Sequence, residues 1–299
     1  MRRVACVYFP GWNVQHRLMS RQKSDRRSLV VTTNAGGGGE RVLACCDKAH
    51  SGGVNPGVSL AEARAVLSRA ECQQEGLEVV VADEDADRRL LADEARWAWR
   101  FTPQVSLPLV AARGRSRGRD PRECPTSLLL NVTGCGHLFG GERRLALAMK
   151  EEWLERGGQV RVAVAGSPGT AWAIAHAAQW VGLPWDPLVV PPGSDSAWMP
   201  RLPVRALALE PGVLRTLGEL NVLKVEQLLA LPVAEVKRRF GAETVWRVDR
   251  AMGQWEEILE YLPMPSPVVA SREMECPVNC GEWLEEILRE LVQEVVGEL

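Results

Sequence analysis

The sequence predicts an α+β, multidomain chain built on a ferredoxin-like split βαβ sheet and continued by a helical region. Three observations carry this expectation. The periodic segments run β, a long insertion, then α β β α β, which is the order of a split βαβ arrangement. A Pro- and Gly-rich stretch, DPLVVPPGSD with Pro200 and Pro203 beyond it, is followed by short amphipathic segments ended by Gly or Asn, as in a helical domain. With 299 residues and 46% hydrophobic content, the chain exceeds the roughly 250 residues at which single cores stop growing.

The elements are justified in order. Val4 to Phe9 (VACVYF) is an unbroken apolar, β-branched run and reads as a buried strand. The insertion after it, roughly residues 14 to 78, holds a strand pair around SLVVTT and ERVLACC and a helix from Ser59 to Leu67. Ala82 to Phe101 begins with Asp83, Glu84, Asp85 and Asp87, acids suited to capping a helix N-terminus and to solvent, then carries Leu90, Leu91, Ala95, Trp97 and Trp99. Val105 to Ala112 and Ser127 to Thr133 are strands joined by the arginine-rich GRSRGRDPRECP. Glu142 to Arg156 is a helix and Gln159 to Ala165 a strand. From Pro211, VLRTLGELN, VEQLLAL, VAEVKRRFG and ETVWRVDRAMGQ are amphipathic helices. The linker YLPMPSPVV leads to a strand at REMECPV and a helix from Gly281 to Val296.

Composition removes several function classes. A formal charge of −2 gives no global pull toward nucleic acid or membrane, so DNA contact would come from local basic patches. No run approaches the roughly 18 apolar residues of a membrane span, and Val4 to Pro10 is too short for a secretory core, so a cytoplasmic location is expected. The cysteines at 6, 45, 46, 72, 124, 135, 276 and 280 form no disulfide framework. Cys276 and Cys280 have no second Cys or His pair after them, so four-ligand zinc is not expected there. Gly36 to Gly39 lacks the Gly-Lys-Ser/Thr of a P-loop, and His137 and His176 read as structural or packing residues. No Ser, His and Asp grouping points to a nucleophile.

The stretch Thr126 to Glu142, TSLLLNVTGCGHLFGGE, together with GVNPGVSLAEARAVL earlier, resembles the Y-family DNA polymerases, the UmuC-like translesion enzymes. The GCGHLFGGE ending resembles most the ImuB branch, polymerase-like proteins of bacterial mutagenic repair and the SOS response. The resemblance implies a palm (1–13 and 79–192), inserted fingers (14–78), a helical thumb (193–262), and a linker with the start of a little-finger domain (263–299), the chain ending before that domain is complete.

The resemblance also locates what is missing. Two-metal nucleotidyl transfer needs carboxylates on adjacent palm strands to hold magnesium. Tyr8 stands where the family has its first acid, and Thr126 and Ser127 stand at the Asp-Glu pair, while Asn131 falls outside the metal centre. Asp47 and His50 replace the Tyr and Arg that meet the incoming triphosphate, and Gly169 replaces a phosphate-contacting Lys. No catalytic residue, nucleotide site, metal or cofactor is therefore expected.

The positive signals are basic. Lys237, Arg238 and Arg239 end a thumb helix, and Arg113, Arg115, Arg117, Arg119 and Arg122 crowd the loop between two palm strands, both suited to sequence-independent phosphate contact. The expected function is a non-catalytic DNA-binding adaptor in error-prone repair. The resemblance implies an error-prone replicative-type polymerase, a RecA-like accessory protein and the sliding clamp as partners, through regions beyond this chain. The alternatives are an active translesion polymerase with displaced ligands, for which magnesium would be required, and a non-functional fragment.

Overall fold

A computed structural model describes residues 1–21, 27–34, 39–69, 76–107, 126–181, 187–254, 257–264, 269–274 and 280–298. They form two compact units, residues 1–262 and 263–299.

The centre of the first unit is a five-stranded sheet in the order β5-β6-β1-β7-β8, made of β1 (Val4–Tyr8), β5 (Val105–Ser106), β6 (Ser127–Asn131), β7 (Arg161–Ala165) and β8 (Leu188–Val189). β1 runs antiparallel to both β6 and β7, β5 is antiparallel to β6, and β8 is parallel to β7. β6 and β7 are thus parallel with β1 between them, joined by the crossover helix α5 (Glu142–Glu155). β1 and β5 are likewise parallel with β6 between them, joined through α4 (Glu84–Trp97). These are two interleaved split βαβ units, as the segment order predicts.

Because side chains alternate across a strand, the central strand feeds two cores. Ala5, Val7 and Phe9, with Leu128 and Leu130, pack on Leu91 and Ala95 of α4 and on Leu145, Met149 and Trp153 of α5. Trp153 is fully buried, and its indole N–H donates to Glu94 Oε2 at 2.8 Å, satisfying a polar group that would otherwise be orphaned. Val4, Cys6 and Tyr8, with Leu129, Ala163 and Ala165, face the other way onto α6 (Pro168–Val181). One clamp closes the start of the sheet. Arg3 donates to both oxygens of Glu142 at 2.6 Å and to Val190 O at 2.7 Å.

The insertion between β1 and α4 contains α1 (Trp12–Met19) and a three-stranded sheet in the order β3-β2-β4. β2 (Ser28–Asn34) pairs antiparallel with β3 (Glu40–Cys45) and parallel with β4 (Leu77–Val81). Its own core joins Leu29, Val30, Val31 and Val42 to Ala49 of α2 (Asp47–Ser51) and to Ala63 and Leu67 of α3 (Leu60–Arg69). Neither α1 nor β4 was expected from the sequence pattern.

After β8 the chain forms α7 (Asp195–Trp198), α8 (Pro211–Glu219), α9 (Val225–Leu229), α10 (Val233–Phe240) and α11 (Ala242–Ala251). α8 starts on Pro211 at its first position, and the turn after it places Asn221 at φ +57°, a left-handed site that Asn tolerates. Gly241, at φ +86°, is the only residue between α10 and α11. Leu217, Val225, Leu228, Val236, Val248 and Ala251 join the α6-side core, so sheet, α6 and helical region share one hydrophobic interior. The chain then returns to the sheet, where Leu262 N–H donates to Val105 O at 2.8 Å.

In the second unit, α12 (Gly281–Glu298) extends the expected helix by two residues, and Arg272 pairs with Glu290. Residues 269–274 carry no regular structure, so the expected strand at REMECPV is absent from its described part; Cys276 lies outside the described residues. The expected strand Val105 to Ala112 is described only to Leu107 and is regular at Val105–Ser106.

Candidate functional site: the Tyr8 centre and a basic helix end

Strand register brings Tyr8, Thr126 and Ser127 to one place. Tyr8 lies opposite Ser127 on one side and Arg161 on the other, and Phe9 N–H donates to Thr126 O at 2.8 Å. Thr126 is half-buried, whereas Ser127 is 1% exposed and Tyr8 8%.

What surrounds Tyr8 is a packed aromatic stack. The His176 ring sits 3.9 Å from the Tyr8 ring and 3.8 Å from that of Trp172, so the imidazole is sandwiched between them. Its Nδ1–H donates to Trp172 O at 2.8 Å, one helical turn back. Burial drives the His176 pKa down to about 3, against a smaller upward pull from the Trp172 carbonyl and with a further push down from Arg161. His176 is thus a buried, neutral packing residue. Ser127 hydrogen-bonds the thiol of Cys6, which burial holds far toward its protonated form. Burial also lowers the pKa of Arg161, and Tyr8 opposes that shift.

This donor set does not fit magnesium. A divalent ion of this kind seeks several oxygens, with carboxylate charge to offset its own. Here the phenol is stacked, the Ser127 hydroxyl is engaged, and a guanidinium faces the same strand position. Among the described residues, no three His, Cys, Asp or Glu side chains converge in a way that could hold a metal.

The nearby acids and amide are committed elsewhere. Asn131 pairs with Val4 at the far end of the strand, four residues or about 13 Å from Ser127. Its amide nitrogen donates to Gln104 Oε1 at 2.6 Å, and its oxygen accepts from the Thr133 hydroxyl at 2.6 Å. Asp83 caps α4, accepting from Ala86 N–H at 2.9 Å. Asp87 departs from the solvated role expected of it. It is 3% exposed and lies 2.6 Å from His16 Nε2 and 3.1 Å from Arg17 Nη1, so α1 docks on α4 through a buried polar cluster.

The three residues expected in place of the triphosphate contacts lie on two helices, α2 and α6. Asp47 and His50 are exposed on α2, which belongs to the three-stranded sheet's core through Ala49. Gly169 is in the first turn of α6, pressed against α11, where a Cβ would lie 2.7 Å from Arg250 O and 2.9 Å from Ala251 Cα. No side chain fits there without backbone movement. Beside it, Asp195 Oδ1 accepts the Gly166 N–H at 3.0 Å, placing a carboxylate of the chain itself at the end of β7.

Lys237, Arg238 and Arg239 are all exposed on the last turn of α10, where cations also complement the helix dipole. Arg238 pairs with Glu235 at 2.5 Å; among the described residues neither Lys237 nor Arg239 forms a salt bridge, and Arg239 lies over the Phe240 ring at 5.9 Å. Arg113, Arg115, Arg117, Arg119 and Arg122 lie outside the described residues. His137 closes its own turn, with Nδ1 at 2.5 Å from Gly134 O.

Sequence reasoning missed Arg161, Trp172 and Cys6 as members of the palm centre. Alternation on β7 puts Arg161 on the face of Ala163 and Ala165, and Trp172 and His176 are four apart on one helix. Both signals are readable once the register against Tyr8 is known.

No protein-family model matches the chain. Protein ImuB of Caulobacter vibrioides strain NA1000 / CB15N is 33% identical over 217 residues, covering 72% of this chain and 41% of that protein; the counterpart in strain ATCC 19089 / CIP 103742 / CB 15 matches equally. The chain thus spans about two fifths of the length of these curated relatives. Among solved structures, DinB from Sulfolobus solfataricus superimposes with a TM-score of 0.62 at 18% identity, covering 87% of this chain and 69% of that one. The insertion ternary complex of Dbh DNA polymerase gives 0.63 at 18%, covering 86% and 69%. At these identities the likeness establishes the palm, fingers and thumb fold.

Proposed function

We infer that this chain, a Y-family polymerase-fold protein of the ImuB type, serves error-prone DNA repair in the cytoplasm as a DNA-binding adaptor without polymerase activity. The observation that carries the reading is the Tyr8 centre. At the strand positions where the resemblance puts the metal-holding acids, the chain has a stacked phenol, a buried hydroxyl and a neighbouring guanidinium. Gly169 leaves no room for a lysine, because α11 occupies the space. A chain packed this way supplies neither the charge that two divalent ions require nor a cation for a triphosphate.

DNA binding is the part of the activity we assign to the exposed cations. Lys237, Arg238 and Arg239 would neutralise phosphates without reading sequence, giving an affinity that falls steeply with salt. The Dbh structures include complexes with substrates, and the same fold here is consistent with a duplex held by the helical region. We assign catalysis to a separate, error-prone replicative-type polymerase, with a RecA-like accessory protein and the sliding clamp as further partners.

Primer extension tests the reading. Purified protein with magnesium or manganese is expected to add no nucleotide to a primer–template while still binding it. Incorporation that disappears in the Thr126→Ala, Ser127→Ala double variant would overturn the adaptor assignment.

A further inference from the structure

We propose that residues 166–170 are a latch that fixes the helical region on the palm, so the thumb's orientation is set by the fold itself and not by a bound nucleotide or metal. The contact is between two helix ends of opposite polarity. The first turn of α6 carries partial positive charge and the last turn of α11 partial negative charge; the Val248, Asp249 and Arg250 carbonyls accept backbone N–H groups from the turn that follows, whereas Ala251 O takes a side-chain donor.

The chain closes this junction with three small residues. Ser167 Oγ accepts the Thr170 N–H at 3.1 Å, capping α6, and lies 2.8 Å from Thr170 Oγ1. Thr170 Oγ1–H in turn donates to Ala251 O at 2.9 Å, within the buried interior, which satisfies a terminal carbonyl of α11. Gly169 lets the two backbones meet, since a Cβ would stand 2.7 Å from Arg250 O. Gly253, at φ +72°, brings the chain after α11 past Ser167, where its own Cβ would lie 3.5 Å away. Around the junction, Ala171, Ile174, Val248 and Ala251 share one buried cluster with Cys6 and Tyr8.

A further tie holds the far side. Arg250 pairs with Glu257, and Arg2 Nη1 donates to Glu257 O at 2.6 Å, so the segment leaving α11 is bound to the first residues of the palm. A thumb that shares its core with the central strand and meets α6 backbone to backbone cannot turn without opening that core. The basic turn at Lys237, Arg238 and Arg239, separated from α11 only by Phe240 and Gly241, is therefore presented in a preset position. Its use for DNA rests on the adaptor reading; the latch does not.

The test is amide hydrogen exchange on the DNA-free protein, comparing wild type with Gly169→Ala and Thr170→Val. Gly169→Ala forces the α6 and α11 backbones apart, and Thr170→Val removes the donor to Ala251 O while keeping the shape. Peptides covering 233–251 are expected to exchange roughly tenfold faster in Gly169→Ala and severalfold faster in Thr170→Val, with β1, β6 and β7 unchanged. Should Gly169→Ala fail to fold, Thr170→Val carries the test alone. Unchanged exchange in 233–251 in the folded variants would overturn the latch. So would an equal loss of protection over the whole of residues 1–262, which would mark a general packing defect. Because no DNA is present, failure here leaves the adaptor reading standing, and failure of DNA binding leaves the latch standing.

Discussion

Acidification should remove a contribution to stability that depends on His176. Its folded pKa of about 3 lies below its ordinary value of 6.5, because the ring is buried between Tyr8 and Trp172. Above pH 6.5 the ring is neutral in both folded and unfolded chains and contributes no pH dependence. Between pH 6.5 and 3 the unfolded chain takes up a proton that the folded chain refuses, so stability falls as pH falls. At pH 5 the gap is 1.5 pH units, and at ~1.36 kcal/mol per unit the cost is about 2 kcal/mol. The assay is urea unfolding of wild type and His176→Phe at pH 7 and pH 5. Phenylalanine keeps a ring in the stack and removes the titrating group, and carboxylates that titrate in the same window cancel in the comparison. The acid loss should be smaller in the variant by about 2 kcal/mol. Equal acid losses in the two proteins would refute the buried, neutral state of His176 and the packed palm centre with it.

Two further outcomes follow from the geometry. Installing carboxylates in the triple variant Tyr8→Asp, Thr126→Asp, Ser127→Glu should not create a polymerase, because it breaks the stack and overfills the Ser127 position, which is 1% exposed. Urea unfolding should show a loss of about 3–5 kcal/mol and primer extension no incorporation, whereas magnesium-dependent incorporation would contradict the account. Glu142→Gln should cost about 3 kcal/mol in the same unfolding assay, since it leaves the Arg3 guanidinium, 6% exposed, without its carboxylate. A cost near zero would show that the clamp at the start of the sheet is idle.

Elements built on unbroken apolar runs were legible in the sequence. β1, β6, β7 and α5 came from continuous or periodic hydrophobic segments, and the α8 to α11 helices from amphipathic repeats ended by Asn or Gly. α1 was not legible, because its docking face carries Gln15 and His16, polar residues satisfied by Gln159 and Asp87 across 144 and 71 residues of sequence. Asp87 was misread for the same reason. Its neighbours in sequence are acids at a helix start, and its partners come from another element. Tyr8, Thr126 and Ser127 were singled out through the resemblance, and the strand register sets Tyr8 opposite Ser127 with Thr126 beside Phe9. What fills that place was not legible, since the Tyr8, His176 and Trp172 stack depends on how α6 crosses the sheet. The shared interior of palm and thumb was hidden likewise, because short helices read alike whether they form their own core or complete another.

DNA binding without catalysis is separated from polymerase activity by salt-titrated binding of a primer–template in the presence of a chelator. Metal-independent binding is expected, with log affinity falling linearly against log salt. The slope should be shallower by about 3 when Lys237, Arg238 and Arg239 are each changed to Ala, roughly one unit for each lost phosphate contact. Absence of binding at low salt, or an affinity and slope unchanged in that variant, would contradict the DNA-binding reading.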